Sequence, residues 1–138
     1  MKRMKLLILI FLFTPRAFCP MEQVLYMEQP EPIQPFKPLI YAVGKVECDF
    51  DTLAYNPIEK AAGYFQIRPI RVEHYNRLTG EHLTLQDMYD YYKAEKVFLY
   101  YASKIGPYDF EKIAKRWNGS GKMTIDYWKR VQKQLNTN

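Results

Sequence analysis

The sequence predicts a mainly α fold with little or no β structure. Three observations carry that expectation. Apolar residues recur at three- and four-residue spacing in five segments between Phe36 and Leu135. Gly80 and the Gly106-Pro107 pair fall where two of those segments stop, as helix terminators do. No run of residues alternates in the way a set of strands requires. A chain of 138 residues, 48% hydrophobic and 25% charged, is long enough for one compact domain and too short for two ordinary ones.

Residues 1–19 read as an export signal. Lys2, Arg3 and Lys5 precede an unbroken apolar run, Leu6 to Phe13, and Thr14, Pro15 and Ala17 follow it. The run is far below the roughly 20 residues that span a bilayer. Ala17 and Cys19 put small residues at the two positions a signal peptidase reads, while Pro20 is a poor cleavage neighbour. Retention as an inner-membrane anchor and lipidation at Cys19 are the other readings, and bulky Phe18 speaks against the lipid. Residues 20–35 form a spacer, kept extended by Pro20, Pro30, Pro32 and Pro35. The expected location is the periplasm or cell envelope.

The domain proper is expected over residues 36–138. Phe36, Ile40, Val43 and Glu47 share one helix face, widened by Leu39 and Val46. Asp49 to Pro57 reads as loop. Arg71 to Leu78 forms the second helix, with Gly80 as its C-cap. Thr84 and Asp87 resemble a capping box that opens a long helix to about Lys104, with Tyr91, Ala94, Phe98, Tyr101 and Ile105 inward. Phe110, Ile113, Ala114 and Trp117 mark the fourth helix, and Asn118-Gly119-Ser120-Gly121 a turn. Thr124 is expected to cap the last helix, with Ile125, Trp128, Val131 and Leu135 inward.

Charge excludes little by itself. Twenty Lys and Arg against fifteen Asp and Glu give +5, but residues 1–19 hold four of the cations and no acid. The remainder is 5 − 4 = +1, so a nucleic-acid partner loses its electrostatic support and none is expected. A basic cluster remains near the C-terminus: Lys112, Lys115, Arg116, Lys122, Lys129, Arg130 and Lys133. It reads as a solvated helix face, or as attraction to an anionic polymer such as cell wall. Cys48 is the one cysteine left after cleavage at Cys19, so no internal disulfide is expected. No Cys/His pair has zinc-ligand spacing, and neither a metal nor an organic cofactor is expected. His74 and His82 read as surface residues. Twelve tyrosines suit either a small core or a groove for polar, ring-shaped ligands.

Glu47 is the residue that asks for an explanation. A carboxylate on an apolar stripe costs free energy unless it is paired or used. Taken alone it would read as a solvated carboxylate at a helix end. It does not stand alone. Val46-Glu47-Cys48, then Ala61-Ala62-Gly63-Tyr64-Phe65-Gln66-Ile67, then Arg116-Trp117-Asn118-Gly119, then Thr124 to Val131 follow one another in order. This set resembles the lysozyme-like domain of lytic transglycosylases and goose-type lysozymes, over about residues 36–135. Those enzymes cut the glycan strands of peptidoglycan. Their pattern has Glu-Ser at a helix end, a Gly-hydrophobic-x-Gln-Ile turn, a Tyr-Asn-Gly turn and a late helix bearing a Tyr.

The resemblance implies a helical domain with a substrate groove, and Glu47 as its general acid. It implies substrate contacts from Gly63, Tyr64, Gln66, Trp117 and Asn118, and a Tyr127 that hydrogen-bonds Glu47. Cys48 stands where the family has Ser, a weaker hydrogen-bonding group in the same place. The resemblance also implies cleavage without water, by attack of the substrate's N-acetyl group and then its own 6-hydroxyl. A hydrolytic muramidase would need a second carboxylate, for which Asp49, Asp51 and Glu59 are the candidates. Glu59 matches an acidic position ahead of the turn, where a structural role is the plainer one. The non-enzymatic alternative is a module that only binds glycan within a cell-envelope assembly.

Overall fold

The computed structural model describes residues 34–137. The expected export signal lies outside them, as does all but the end of the expected spacer. The fold is mainly α. Five helices, α1 (Lys37–Cys48), α2 (Pro69–Thr79), α3 (Tyr91–Ser103), α4 (Phe110–Asn118) and α5 (Met123–Leu135), surround one core. Between α1 and α2 lies a two-stranded antiparallel ribbon, β1 (Tyr55–Asn56) with β2 (Ala61–Ala62), inside and just after the expected loop.

The first helix forms as its spacing requires. Leu39, Ile40, Ala42, Val43 and Gly44 are buried on one side, and Pro38 occupies the first turn, where a missing N–H costs nothing. It ends in two successive left-handed residues, Asp49 (φ 54°) and Phe50 (φ 69°). Asp49 N–H donates to the Lys45 carbonyl and Phe50 N–H to that of Gly44, both at 3.3 Å. The Asp49 carboxylate pairs with Lys45, and the Phe50 ring packs 4.8 Å from that of Tyr41. Such an end reverses the chain directly after Glu47.

Two expectations about helix starts are corrected. The long helix from Thr84 to Lys104 is two elements. Asp87 Oδ2 does accept from Thr84, from N–H at 2.8 Å and from Oγ1 at 2.7 Å, but that closure opens only a 3-10 helix, Gln86–Tyr89. Asp90 then takes extended geometry and caps α3, accepting from Lys93 N–H at 3.1 Å. Asp90, a cap three residues after Asp87, breaks the run. Thr124 is likewise no cap. It lies within α5, buried, with Oγ1 donating to the Gly121 carbonyl at 2.7 Å. The buried stripe of α5 is Thr124, Tyr127 and Val131, with Ile125 exposed and Trp128 only flanking the core. Hydropathy alone favoured Ile125; polar-tipped side chains took the inner face because each tip finds a partner.

The centre is aromatic. Phe65 stacks on Phe98 at 4.7 Å, and Trp117 meets Phe98 edge-on at 4.9 Å. Trp117 Nε1 donates to the Phe65 carbonyl at 3.1 Å, tying α4 to the turn after β2. Among the described residues, no helix is long and apolar enough to cross a membrane.

Candidate active site

Glu47 lies in the last turn of α1, and Tyr127 reaches it from α5. The Tyr127 hydroxyl donates to Glu47 Oε1 at 2.7 Å, across 80 residues of sequence. Glu47 is half-buried, and its carboxyl is strongly desolvated by the protein around it. Burial pushes that carboxyl up to about 7 from an ordinary 4.5. The Tyr127 hydrogen bond and the charges of Arg130 and Arg71 pull it down, and the Glu59 charge pushes it further up. The negative end of the α1 dipole acts in the same sense as burial. The result is a carboxyl half protonated near neutrality, with a hydroxyl fixing one oxygen.

Tyr127 is buried to 1% exposure, and its own pKa stands well above the usual value, through burial and then the neighbouring carboxylate. Tyr127→Phe is expected to move the Glu47 titration midpoint above about 7, since the lost bond favours the charged form. A carboxyl titration followed by NMR checks this; a midpoint that stays put or falls contradicts it.

The turn between β2 and α2 is built by the motif residues themselves. Ala62 and Ile67 exchange backbone hydrogen bonds at 3.0 and 2.9 Å around Gly63-Tyr64-Phe65-Gln66. Gln66, at φ 47°, donates from Nε2 to the carbonyls of Gly63 (3.0 Å) and Ala54 (3.3 Å), so its amide stabilises the turn. Gly63 has φ 74°, and a Cβ there would lie 1.9 Å from the Met88 carbonyl oxygen. Its need for glycine comes from the approach of the 3-10 helix, where a close approach to sugar had been one expectation.

Tyr64 is corrected more fully. It is buried, its hydroxyl donates to the Ile40 carbonyl at 3.4 Å, and its ring fills the notch left by Gly44, where a Cβ would sit 2.0 Å away. It belongs to the core. Cys48 also faces inward. Its thiol donates to the carbonyls of Tyr64 (3.3 Å) and Gly44 (3.5 Å), and burial raises its pKa to about 11. A thiol so held is a latch between helix and turn and a poor nucleophile.

The three acidic candidates separate. Asp49 is the paired helix end described above. Asp51 is exposed and accepts from Leu53 N–H at 2.9 Å, closing a local turn. Glu59 is exposed on the segment that joins β1 to β2, and it is the acidic residue among them whose charge acts on Glu47. Among the described residues, no three His, Cys, Asp or Glu side chains gather closely enough to hold a metal ion.

Trp117 and Asn118 end α4. Trp117 is buried in the aromatic centre, and Asn118 beside it is half-buried. One face of the indole carries Arg71, whose guanidinium lies 4.2 Å from the ring centroid and 5.3 Å from that of Tyr101. Arg71 Nη2 donates to the Trp117 carbonyl at 2.9 Å. Sequence reasoning passed over Arg71, although its spacing to Val72 and Tyr75 places a cation beside the buried face of α2. It also passed over Arg130 as a neighbour of the site; one turn beyond Tyr127, its guanidinium lies 5.6 Å from that ring. His74 is not the surface residue expected: its Nδ1 meets the Tyr101 hydroxyl at 2.8 Å.

A hollow of about 390 Å³ is lined by Arg71 and Trp117 and does not include Glu47. Its link to Glu47 is Arg71, whose charge acts on that carboxyl. A second hollow, of about 270 Å³, is formed by Lys45, Val46, Arg130, Lys133 and Gln134, and Glu47 does not line it either. No family model, curated protein or solved structure matches the chain.

Proposed function

We propose that the domain is a lysozyme-superfamily enzyme that cleaves the MurNAc–GlcNAc β-1,4 bond of peptidoglycan, and that it does so without water. The observation that carries this reading is the Glu47 carboxyl, raised to about 7 by burial and gripped at 2.7 Å by Tyr127. Breaking a glycosidic bond needs a proton on the leaving oxygen, from a donor still protonated near neutral pH. Glu47 meets that requirement. In the reading, its proton passes to the leaving oxygen as the C1–O4 bond breaks, and the substrate's acetamido oxygen closes on C1. The sugar's own 6-hydroxyl then displaces it, its proton returning to the Glu47 carboxylate, and a 1,6-anhydro-muramoyl end leaves. No water enters, and Glu47 ends as it began. Arg71 and Arg130 favour the carboxylate that forms between the two steps. Tyr127 is a positioning residue that holds one carboxyl oxygen while the other faces the bond. The order of motifs around Glu47 supports the substrate class, and with the expected export signal the chain acts in the periplasm or cell envelope.

A second reading has one observation behind it. Glu59 acts electrostatically on Glu47, so a water activated between two carboxylates would make the same site a muramidase. The mass of soluble products from purified peptidoglycan distinguishes the readings. Anhydro ends support the first reading, and products heavier by one water support the second. No product, with the chain still sedimenting with the glycan, leaves a binding module and overturns both.

A further inference from the structure

The 390 Å³ hollow has a cationic lining. Arg68, Arg71, Lys104 and Arg116 line it, and no Asp or Glu does. Among the described residues, none of the four is ion-paired. Arg71 is held by the Tyr101 and Trp117 rings and one carbonyl, and Lys104 lies 4.3 Å from the Tyr100 ring centroid. Burial lowers the Arg71 pKa, against the raising effects of Tyr101 and Glu47. The floor is apolar, from Ile105 and Ile113. A volume of this size lies within the range of roughly 300–1,000 Å³ typical of small-ligand sites.

Guanidinium forks over an apolar floor match a carboxylate or phosphate carried on a short apolar chain. One of the hollow's walls, Arg71, also acts on Glu47 through its charge. A group seated here is therefore attached close to the bond being cut. We propose that this hollow is an oxyanion seat, and that its occupant is the carboxylate-bearing stem peptide of the glycan strand. The identity of the occupant rests on the cleavage reading above; the seat itself does not.

The test measures binding of the full chain to a soluble disaccharide–peptide fragment, to the same fragment with its carboxylates amidated, and to inorganic phosphate. The chain is compared with Arg116→Gln and with the triple variant Arg68→Gln, Lys104→Gln, Arg116→Gln, each checked for an unchanged circular dichroism spectrum. The acidic fragment is expected to bind the wild type at least tenfold more tightly than its amidated form does. The triple variant is expected to lose that preference, and Arg116→Gln, exposed and free of structural bonds among the described residues, to lose part of it. Amidation without effect, or a triple variant that keeps the preference, overturns the seat. Phosphate binding as tightly as the fragment overturns the stem peptide as occupant. Charge-dependent binding by a chain that leaves peptidoglycan uncut would sink the cleavage reading and keep the seat. Cutting with charge-independent binding would do the reverse.

Discussion

Glu47→Gln is expected to lose at least about a hundredfold of any glycan cleavage, the low end of what a general acid contributes, and to melt at a higher temperature than the wild type at pH 8. The second effect follows from the first cause. A carboxyl at about 7 when folded and 4.5 when free binds more protons in the folded state between those values. Stability therefore falls as pH rises through that window, and the deficit is fully present above it. At about 1.4 kcal/mol per pH unit the gap amounts to about 3 kcal/mol. A glutamine carries no charge to bury and still accepts from Tyr127, but its amide N–H groups need partners, so the net gain is on the order of 1–2 kcal/mol. Below about pH 4.5 both forms are neutral and the gain vanishes. Thermal unfolding at pH 4 and pH 8 checks the sign; equal melting points at pH 8 would mean that Glu47 is solvated, and the case for an acid catalyst would go with it.

Gly63→Ala should be the most damaging small substitution in the domain. Its φ of 74° already penalises a side chain by about 1–2 kcal/mol. The added methyl would also sit 1.9 Å from the Met88 carbonyl oxygen and 2.8 Å from its carbon, so backbone must move on one side or the other. Overpacking of that kind costs about 1–3 kcal/mol or more. The sum, about 2–5 kcal/mol, is a large part of a small domain's stability. Gly80→Ala is the matched control. Its φ is 75°, and nothing lies within 4 Å of where its Cβ would be. Denaturant midpoints should therefore separate the two variants by at least 1 kcal/mol; equal losses would place the whole cost in the backbone angle.

Helices were legible where apolar spacing was undisturbed. α1, α4 and the end of α2 at Gly80 follow it closely, and so does the pairing of Glu47 with Tyr127 that the family resemblance implies. The failures have a common cause. The Thr84–Asp87 pair and Asp90 both read as helix starts, and sequence cannot say that the first opens only a single 3-10 turn. Tyr127 and Tyr64 are inward because their hydroxyls find acceptors far along the chain, and Thr124 because its hydroxyl finds the Gly121 carbonyl three residues back. Hydropathy ranks such residues below Ile125, which is exposed. Arg71 stayed invisible because its partners are ring faces and a carbonyl rather than acids.

The 80-residue span between Glu47 and Tyr127 has a consequence for the timing of synthesis. A chain is made from its N-terminus, and α5 is the last of the described helices to emerge. Until it docks on α1, the bond from Tyr127 to Glu47 does not exist. A chain cut before Tyr127 therefore leaves Glu47 without its hydroxyl partner.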